Sequence, residues 1–190
     1  MNIWAYIITV TIWFSFILHW TFGSIPKNRI FEIYAGSGIA FCLTLVIFGL
    51  FGGYKEAELL SIQLVGNILL YIAIVLALIS LITLRVKGKP EQGFENTNVL
   101  IEGTIFGVIR HPLYLGLTIW GISQIFVIQS VISILLGILA IFCFWMSSKK
   151  EDEFNIKKFG DNYRDYMKKV PRANFLLGIL RVLRNKRKQK

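Results

Sequence analysis

Three side chains able to bind a charged ligand stand together at the start of a long apolar run: Arg110, His111 and Tyr114. A guanidinium can hold a carboxylate through two hydrogen bonds, and an imidazole adds a further hydrogen-bonding group. Pro112 favours the first position of a helix, which would place Tyr114 near the other two. This pattern predicts a polar loop that delivers the three side chains to the mouth of a membrane helix, a setting suited to a small charged ligand.

A second polar patch follows the same apolar run. It begins with Lys150-Glu151-Asp152-Glu153 and continues with Phe159-Gly160-Asp161, Tyr163 and Tyr166. Either patch alone has a common structural role, since arginine and histidine often anchor a helix at the interface and acidic residues often oppose a helix dipole. Two patches in this order, on the same predicted side of a membrane, favour a shared ligand site instead.

The elements that must position these residues are membrane helices. Apolar residues make up 55% of the chain and its mean hydropathy is +0.60, above the roughly 45–50% apolar content of soluble domains. The apolar residues form long runs, which indicates one multispanning membrane domain. No basic segment precedes the first run and no cleavage site follows it, so a signal peptide is not expected. Cys42 and Cys143 lie in apolar runs and are expected to be buried free thiols, with no metal site.

The longest apolar run, residues 113–146, carries no charge. As one helix it would extend about 51 Å, too long for a hydrocarbon core of about 30 Å. Basic residues flank both ends, and keeping them on one side requires an even number of crossings. We therefore predict a helical hairpin that turns near Gln129–Ser130.

The predicted fold is an all-α integral membrane protein with five transmembrane helices, the last two forming the hairpin, followed by cytosolic C-terminal helices. The distribution of basic residues places the N-terminus outside and the polar loop inside a cell membrane. The segment 174–184 is expected to lie on the inner leaflet as an interfacial helix. The predicted spans are about 3–22, 33–53, 59–84, 112–128 and 131–147, with the loop at 85–111 and the C-terminal helices at 149–185.

The formal net charge of +10 has a membrane explanation. Most basic residues lie after residue 148, where each would attract anionic headgroups by about 1 kcal/mol. Anionic membrane lipids are therefore expected partners. Nucleic acid is not an expected partner, because the chain contains no recognisable nucleic-acid-binding fold. The sequence indicates no oligomeric state.

The two polar patches also carry a family resemblance. The run Leu100-Ile101, Ile105-Phe106 and Ile109-Arg110-His111-Pro112-Leu113-Tyr114, with the acidic patch, resembles the signature of the isoprenylcysteine carboxyl methyltransferase family and its phospholipid methyltransferase relatives. The similarity covers roughly residues 80–172. It implies a membrane methyltransferase that uses S-adenosylmethionine and acts on a lipophilic small molecule or a lipid-modified acceptor.

The resemblance also implies roles for individual residues. Arg110 and Glu151 are the expected catalytic residues. Arg110 would hold the cofactor's carboxylate, and Glu151 or Glu153 would hold its ribose or ammonium group. The apolar side chains would form the adenine pocket. The expected cofactor-binding residues are Asn98, Leu100, Ile101, Phe106, Arg110, His111, Tyr114 and Glu153.

The sequence departs from the family pattern at several positions. Asn98 stands where the family usually has histidine, Phe106 where it has tyrosine, and Thr104 where it has glycine. The family's arginine just before the acidic patch is absent from residues 145–148. These departures leave the acceptor open between a carboxylate, a thiol and an amine.

Four alternatives remain open from the sequence. Two are enzymes of related chemistry, a phospholipid-type N-methyltransferase and a lipophilic thiol methyltransferase. Another is a non-catalytic membrane scaffold, and the last is a relative of the sterol reductases that uses a nicotinamide cofactor. His19, Gln63 and Asn67 are polar residues within apolar spans, where structural roles and a place in a substrate cavity both stay possible.

Overall fold

The computed structural model describes residues 3–23, 29–51, 59–89 and 97–188. These residues form helices and connections, without a strand among them, so the all-helical prediction is confirmed for the described chain. The elements are α1 Ile3–Phe22, α2 Ile30–Leu50, α3 Leu60–Lys87, a 3-10 turn at Thr104–Gly107, α4 Pro112–Ile128, α5 Val131–Phe159, α6 Asp161–Lys169 and α7 Phe175–Lys188. Four of the described helices are long and apolar enough to cross a membrane, namely α1, α2, α3 and α5, and α4 is a shorter apolar helix.

The long apolar run doubles back between α4 and α5. Gln129 adopts the left-handed conformation at φ 53°, which ends α4. Ser130 then caps α5, since its Oγ accepts a bond from the Ser133 backbone N–H at 3.1 Å and the Ser133 Oγ accepts one from Ser130 N–H at 3.1 Å. The Gln129 amide also exchanges two 3.0 Å hydrogen bonds with the backbone of Leu59. The predicted turn therefore joins the hairpin to the start of α3.

Small residues let the helices of the hairpin and its neighbour approach closely. Gly137 of α5 packs on α4, where an added Cβ would lie 2.5 Å from Cγ1 of Ile125 and 3.4 Å from the carbonyl oxygen of Gly121. Gly116 of α4 faces α3 in the same way, since an added Cβ would lie 3.1 Å from the carbonyl oxygen of Ala73. In lipid, where apolar burial gives little drive for association, such contacts supply the van der Waals energy of helix packing.

The buried core lies where α2, α4 and α5 meet. Phe144 is fully buried against α2, in a cluster with Cys42, Tyr114 and Ala140. Cys42 and Cys143 are both buried and free, as predicted. Large apolar side chains on the outer faces of α1 and α3 remain exposed, as expected for surfaces that contact lipid. The core thus includes Tyr114, in the first turn of α4.

Some bounds differ from those predicted. The second helix is Ile30–Leu50 rather than 33–53, and the third continues to Lys87. Residues 52–53 of that predicted span and 90–96 of the predicted loop lie outside the described chain. The largest difference is α5, which we expected to end near residue 147 before a separate helix from 149. It continues unbroken to Phe159, because a change from apolar to charged side chains does not itself end a helix when the residues are good helix formers.

Candidate functional site

The site is organised around Asp152, which is 3% exposed and lies in the polar end of α5. Its Oδ1 accepts hydrogen bonds from His111 Nε2 at 2.7 Å and from the Tyr163 hydroxyl at 2.6 Å. Its Oδ2 accepts bonds from Arg110 Nη2 at 3.1 Å and from Arg172 Nε at 2.9 Å. One carboxylate therefore joins the loop before α4, helix α6 and the connection between α6 and α7.

Backbone bonds hold the same segments together. The N–H of Arg110 donates to the carbonyl of Pro171, and the N–H of His111 donates to that of Arg172, both at 3.0 Å. Arg110 Nη1 donates to the carbonyls of Val170 at 2.7 Å and Met167 at 3.0 Å. The mouth of α4 is thus fixed to a segment some sixty residues later in the chain.

The protonation states in this cluster follow from burial and charge. Asp152 lies beyond the apolar stretch 131–147 of α5. Burial alone would raise its pKa, but hydrogen bonds from His111 and Tyr163 and the charge of Arg110 outweigh burial and hold the pKa well below its usual range. Burial and the neighbouring Asp152 carboxylate raise the pKa of Tyr163 far above its ordinary value. Asp152 is therefore an ionised acceptor, and Tyr163 a protonated donor.

A cavity of about 210 Å³ lies beside this cluster. It has an apolar side from the loop before α4 and a polar side from the cluster, with Asn155, Tyr163 and Tyr166 also at its wall. The Tyr166 hydroxyl donates to the carbonyl of Phe106 at 2.6 Å and holds the 3-10 turn in place. The residues of the predicted site that line this cavity are Leu100, Ile101, Phe106, Arg110, His111, Tyr114 and Glu151.

Two residues of the predicted site lie away from the cavity. Asn98 is exposed, and its backbone N–H donates to the carbonyl of Gly88 at 3.0 Å. Glu153 has a side chain that is 57% exposed and pairs with Lys150 at 2.9 Å. Successive residues of a helix point about 100° apart, so Glu153 faces solvent when Asp152 faces inward.

Sequence reasoning did not assign a role to Asp152, Tyr163 or Arg172, although the first two belong to the acidic patch. A signal for Asp152 was present. Phe144, Ser148 and Asp152 recur every four residues, which places them on one stripe of α5, and all three are buried. This stripe identifies Asp152 as the inward-facing acid among Glu151, Asp152 and Glu153. Arg172 lies in a short connection without periodicity, and no pattern in the sequence identifies it.

A second cavity, of about 370 Å³, lies between α4 and α5 and is almost entirely apolar. We call it the hairpin groove. Its wall includes Ile138, Phe142 and Trp145, which are 56%, 51% and 48% exposed on the outer surface of the helices. His111 and Tyr114 line both the hairpin groove and the polar cavity. These two side chains therefore form a wall common to a polar site and an apolar one.

The polar cavity suits an anionic ligand with an apolar portion. An arginine has five N–H donors, and Arg110 uses three of them on Met167, Val170 and Asp152. Its Nε is buried and has no hydrogen-bond partner among the described residues. Arg110 also lines the cavity, where its guanidinium charge would favour a bound carboxylate. Glu151 supplies an acceptor on the same wall, with Oε1 at 3.9 Å from His111 Nδ1.

Comparison with known proteins agrees with the resemblance found in the motifs. A segment of 75 residues is 32% identical to a protein-S-isoprenylcysteine O-methyltransferase of Schizosaccharomyces pombe and covers 39% of this chain and 32% of that protein. The protein of the same name from Dictyostelium discoideum is 32% identical over 74 residues, or 38% of this chain and 31% of that protein. The Xenopus laevis protein of that name is 30% identical over 86 residues, or 44% of this chain and 30% of that protein.

These matches establish a distant and partial similarity, since the matched segment covers about a third of the length of each relative. No solved structure matches the chain. A broader match comes from the family described as NnrU protein, whose model aligns with residues 27–180. Because that alignment includes most of the chain, with all of α2 to α6 and the whole Asp152 cluster, this protein belongs to the NnrU family.

Proposed function

We propose that this protein is an integral membrane methyltransferase that uses S-adenosylmethionine and acts on a lipophilic acceptor. The observation that carries the proposal is the common wall: a polar cavity lined by Arg110 and Glu151 shares His111 and Tyr114 with an apolar groove between two membrane helices. When bound, the cofactor supplies an electrophilic methyl group. The similarity to protein-S-isoprenylcysteine O-methyltransferases supports the choice of cofactor.

The residues of the polar cavity would hold the cofactor by complementary chemistry. Arg110 would attract the amino-acid carboxylate by its guanidinium charge, and Glu151 would offer an acceptor to a ribose hydroxyl or the ammonium group. Leu100, Ile101 and Phe106 provide an apolar surface for the adenine. Asn98 and Glu153, which lie outside the cavity, have no role in this arrangement.

The hairpin groove would hold the acceptor. Its exposed apolar rim allows a lipophilic molecule to enter from the bilayer rather than from water. Because His111 and Tyr114 line both spaces, the reacting ends of a water-soluble cofactor and a lipid-soluble acceptor would meet at these two side chains. Methyl transfer depends chiefly on alignment of the reacting groups and exclusion of water, and the burial of both side chains favours exclusion of water at that point.

We also propose that all five apolar helices cross the membrane, with the N-terminus outside and the Asp152 cluster inside. Helix α4 has 17 residues and would extend about 26 Å, close to the thickness of the hydrocarbon core. Because α4 and α5 form a hairpin, the two polar patches meet on one side. The basic residues of α7, including the exposed Arg181 and Arg184, would then lie against anionic lipid headgroups.

Binding of S-adenosylhomocysteine to the purified protein in detergent, measured by calorimetry, tests this function. Arg110→Lys keeps a positive charge beside Asp152 but cannot reproduce the planar set of guanidinium donors, so we expect its affinity to fall at least about tenfold. Arg164→Lys is a matched control, since that side chain is 59% exposed on α6 and does not line the cavity. Its affinity should equal that of the wild type.

The outcomes distinguish the rival functions. Binding followed by transfer of a labelled methyl group to a membrane lipid extract would support the enzyme, and the labelled product would separate a carboxyl ester from a methylated phospholipid amine. A folded wild-type protein that binds neither the cofactor nor its demethylated product would be a scaffold. Thermal stabilisation by NADPH alone would instead support a reductase.

A further inference from the structure

We infer that His111 is the residue that removes a proton from the acceptor, so that the acceptor is a protic nucleophile such as a thiol or an amine rather than a carboxylate. This inference rests on the proposed function and names the substrate class of the same site. It is carried by the hydrogen-bonding state of the imidazole and by its position in the wall between the two cavities.

The tautomer of His111 follows from its partner. Asp152 accepts four hydrogen bonds and is ionised, so it has no proton to donate to His111. At 2.7 Å from Asp152 Oδ1, the imidazole Nε2 must therefore carry the hydrogen. A neutral imidazole has one N–H, and its other nitrogen, Nδ1, is consequently a free base.

Four charged groups surround the ring: the carboxylates of Asp152 and Glu151 and the guanidinium groups of Arg110 and Arg172. His111 itself is only 4% exposed. A proton taken up by Nδ1 would therefore lie between two carboxylates, which would stabilise the imidazolium formed during the reaction.

The position of His111 gives this base its substrate. Among the side chains that line the hairpin groove, His111 is the one able to accept a proton near neutral pH, because the others are apolar residues, hydroxyl groups and Arg172. A bound carboxylate would arrive already ionised and would need no base. The cation that lines the groove, Arg172, is already paired with Asp152 at 2.8 Å. Residues 145–148 carry no basic side chain to hold a carboxylate in its place.

The proton also has a route to water. The bond between the acceptor atom and its hydrogen breaks, its electron pair stays on the acceptor as the nucleophile, and the proton goes to His111 Nδ1. The resulting imidazolium lies between Asp152 and Glu151, whose Oε1 is 3.9 Å from Nδ1. The Glu151 side chain is 24% exposed, so it can pass the proton on to solvent.

Nuclear magnetic resonance can test the tautomer without any reaction, because the chain has only two histidines. His19→Gln, a change of an exposed side chain in α1, leaves His111 as the single ¹⁵N-labelled imidazole. We expect a neutral ring at pH 7 with the hydrogen on Nε2 and a bare Nδ1. A ring with the hydrogen on Nδ1, or one that stays doubly protonated up to pH 8, would overturn the inference.

A second experiment tests the role of the base. In His111→Gln, methyl transfer to a ten-carbon alkanethiol at pH 7, measured at saturating S-adenosylmethionine, should fall at least about 100-fold. The loss should shrink as the pH approaches 10, where the thiol ionises by itself. An equal loss at every pH, or faster transfer to decanoic acid than to the thiol in the wild type, would refute the inference.

The two proposals fail in different ways. Absence of cofactor binding in the wild type would remove the proposed function, whereas the imidazole signals would still report the tautomer. Normal cofactor binding and transfer with full activity in His111→Gln would remove only the role of the base. If that variant does not fold, the resonance measurement on the native His111 side chain still tests the tautomer on which the inference depends.

Discussion

At the residue scale, the site depends on one buried carboxylate with four donors. Asp152 has no contact with water to compensate for its burial, and the donors from Arg110, His111, Tyr163 and Arg172 replace that solvation. Such an arrangement is stable only while all partners are present, because removing one charge leaves the others buried and unpaired. The same carboxylate sets the tautomer of His111, so structure and chemistry depend on it together.

Replacing Asp152 by Asn tests this dependence. The amide has nearly the same shape but no charge, and its NH₂ group would face donors from two arginines. We expect the free energy of unfolding to fall by about 3–5 kcal/mol. The loss of helical circular dichroism on heating in detergent would measure this change. Asp165→Asn is the control, since Asp165 is exposed and pairs only with Lys168 on the surface of α6, and its melting temperature should not change. Equal stability of both variants would show that the cluster is not cooperative.

Thr104 carries backbone strain at the start of the 3-10 turn. Its φ is 56°, in the left-handed region, which a β-branched residue rarely adopts and which costs about 1–2 kcal/mol. This is the position at which the resembling family usually has glycine. Thr104→Gly should raise the melting temperature, with a net gain below about 1 kcal/mol because glycine also gains entropy in the unfolded chain.

Thr104→Ala is the matched control for that gain. Alanine also loses the hydroxyl, which donates to the carbonyl of Gly103 at 2.6 Å, but it keeps the Cβ that causes the strain. We therefore expect no increase in stability for alanine. If alanine stabilises the protein as much as glycine does, the hydroxyl rather than the backbone conformation is responsible.

The sequence predicted residue positions that depend on local contacts, but not those that depend on contacts between distant parts of the chain. Arg110, His111 and Tyr114 could be placed at one helix mouth because Pro112 and the apolar run fix their position locally. The structure brings them and Glu151 to one cavity. It also shows that three donors of Arg110 bind protein groups, among them the carbonyls of Met167 and Val170. No local pattern carries that information, because those partners lie almost sixty residues away.

At the element scale, α5 connects the bilayer to the site as one continuous helix. The stripe Phe144, Ser148 and Asp152 joins the apolar core to the polar cluster along a single face. We predicted a break after residue 147 because the composition changes there. The change of solvent from lipid to water requires different side chains but leaves the backbone hydrogen bonds of the helix intact, so composition alone could not locate the end of α5.

The packing of α2 on α5 gives a paired test on one helix. A Cβ on Gly38 would lie 2.5 Å from the ring of Phe144, which is fully buried and cannot move aside. Gly38→Ala should therefore destabilise the protein by about 1–3 kcal/mol. A Cβ on Gly49 would meet Ile128 at an ordinary 3.6 Å, so Gly49→Ala should be neutral or slightly stabilising. Thermal unfolding in detergent measures both, and similar values for the two would argue against close α2–α5 contact.

At the scale of the whole molecule, the polar cluster and the hairpin turn lie at opposite ends of the helix bundle. One end of the helix bundle carries the Asp152 cluster, and the hairpin turn at Gln129–Ser130 lies at the other end of α4 and α5. The doubling back could be predicted because 34 uncharged residues are too long for one crossing and have basic flanks. The shared wall between the hairpin groove and the polar cavity could not, because it depends on how α4 and α5 pack against each other.

The orientation of the molecule can be tested with single cysteines. Arg164→Cys lies on α6 near the Asp152 cluster, and Leu59→Cys lies beside the hairpin turn, where Leu59 is 55% exposed. In intact cells, a membrane-impermeant maleimide should label Leu59→Cys at once and Arg164→Cys only after permeabilisation. The wild type provides the background, and it should stay unlabelled because Cys42 and Cys143 are buried. Labelling of both variants from one side would mean that α4 and α5 enter the bilayer without crossing it, and the reversed pattern would place the Asp152 cluster outside the cell.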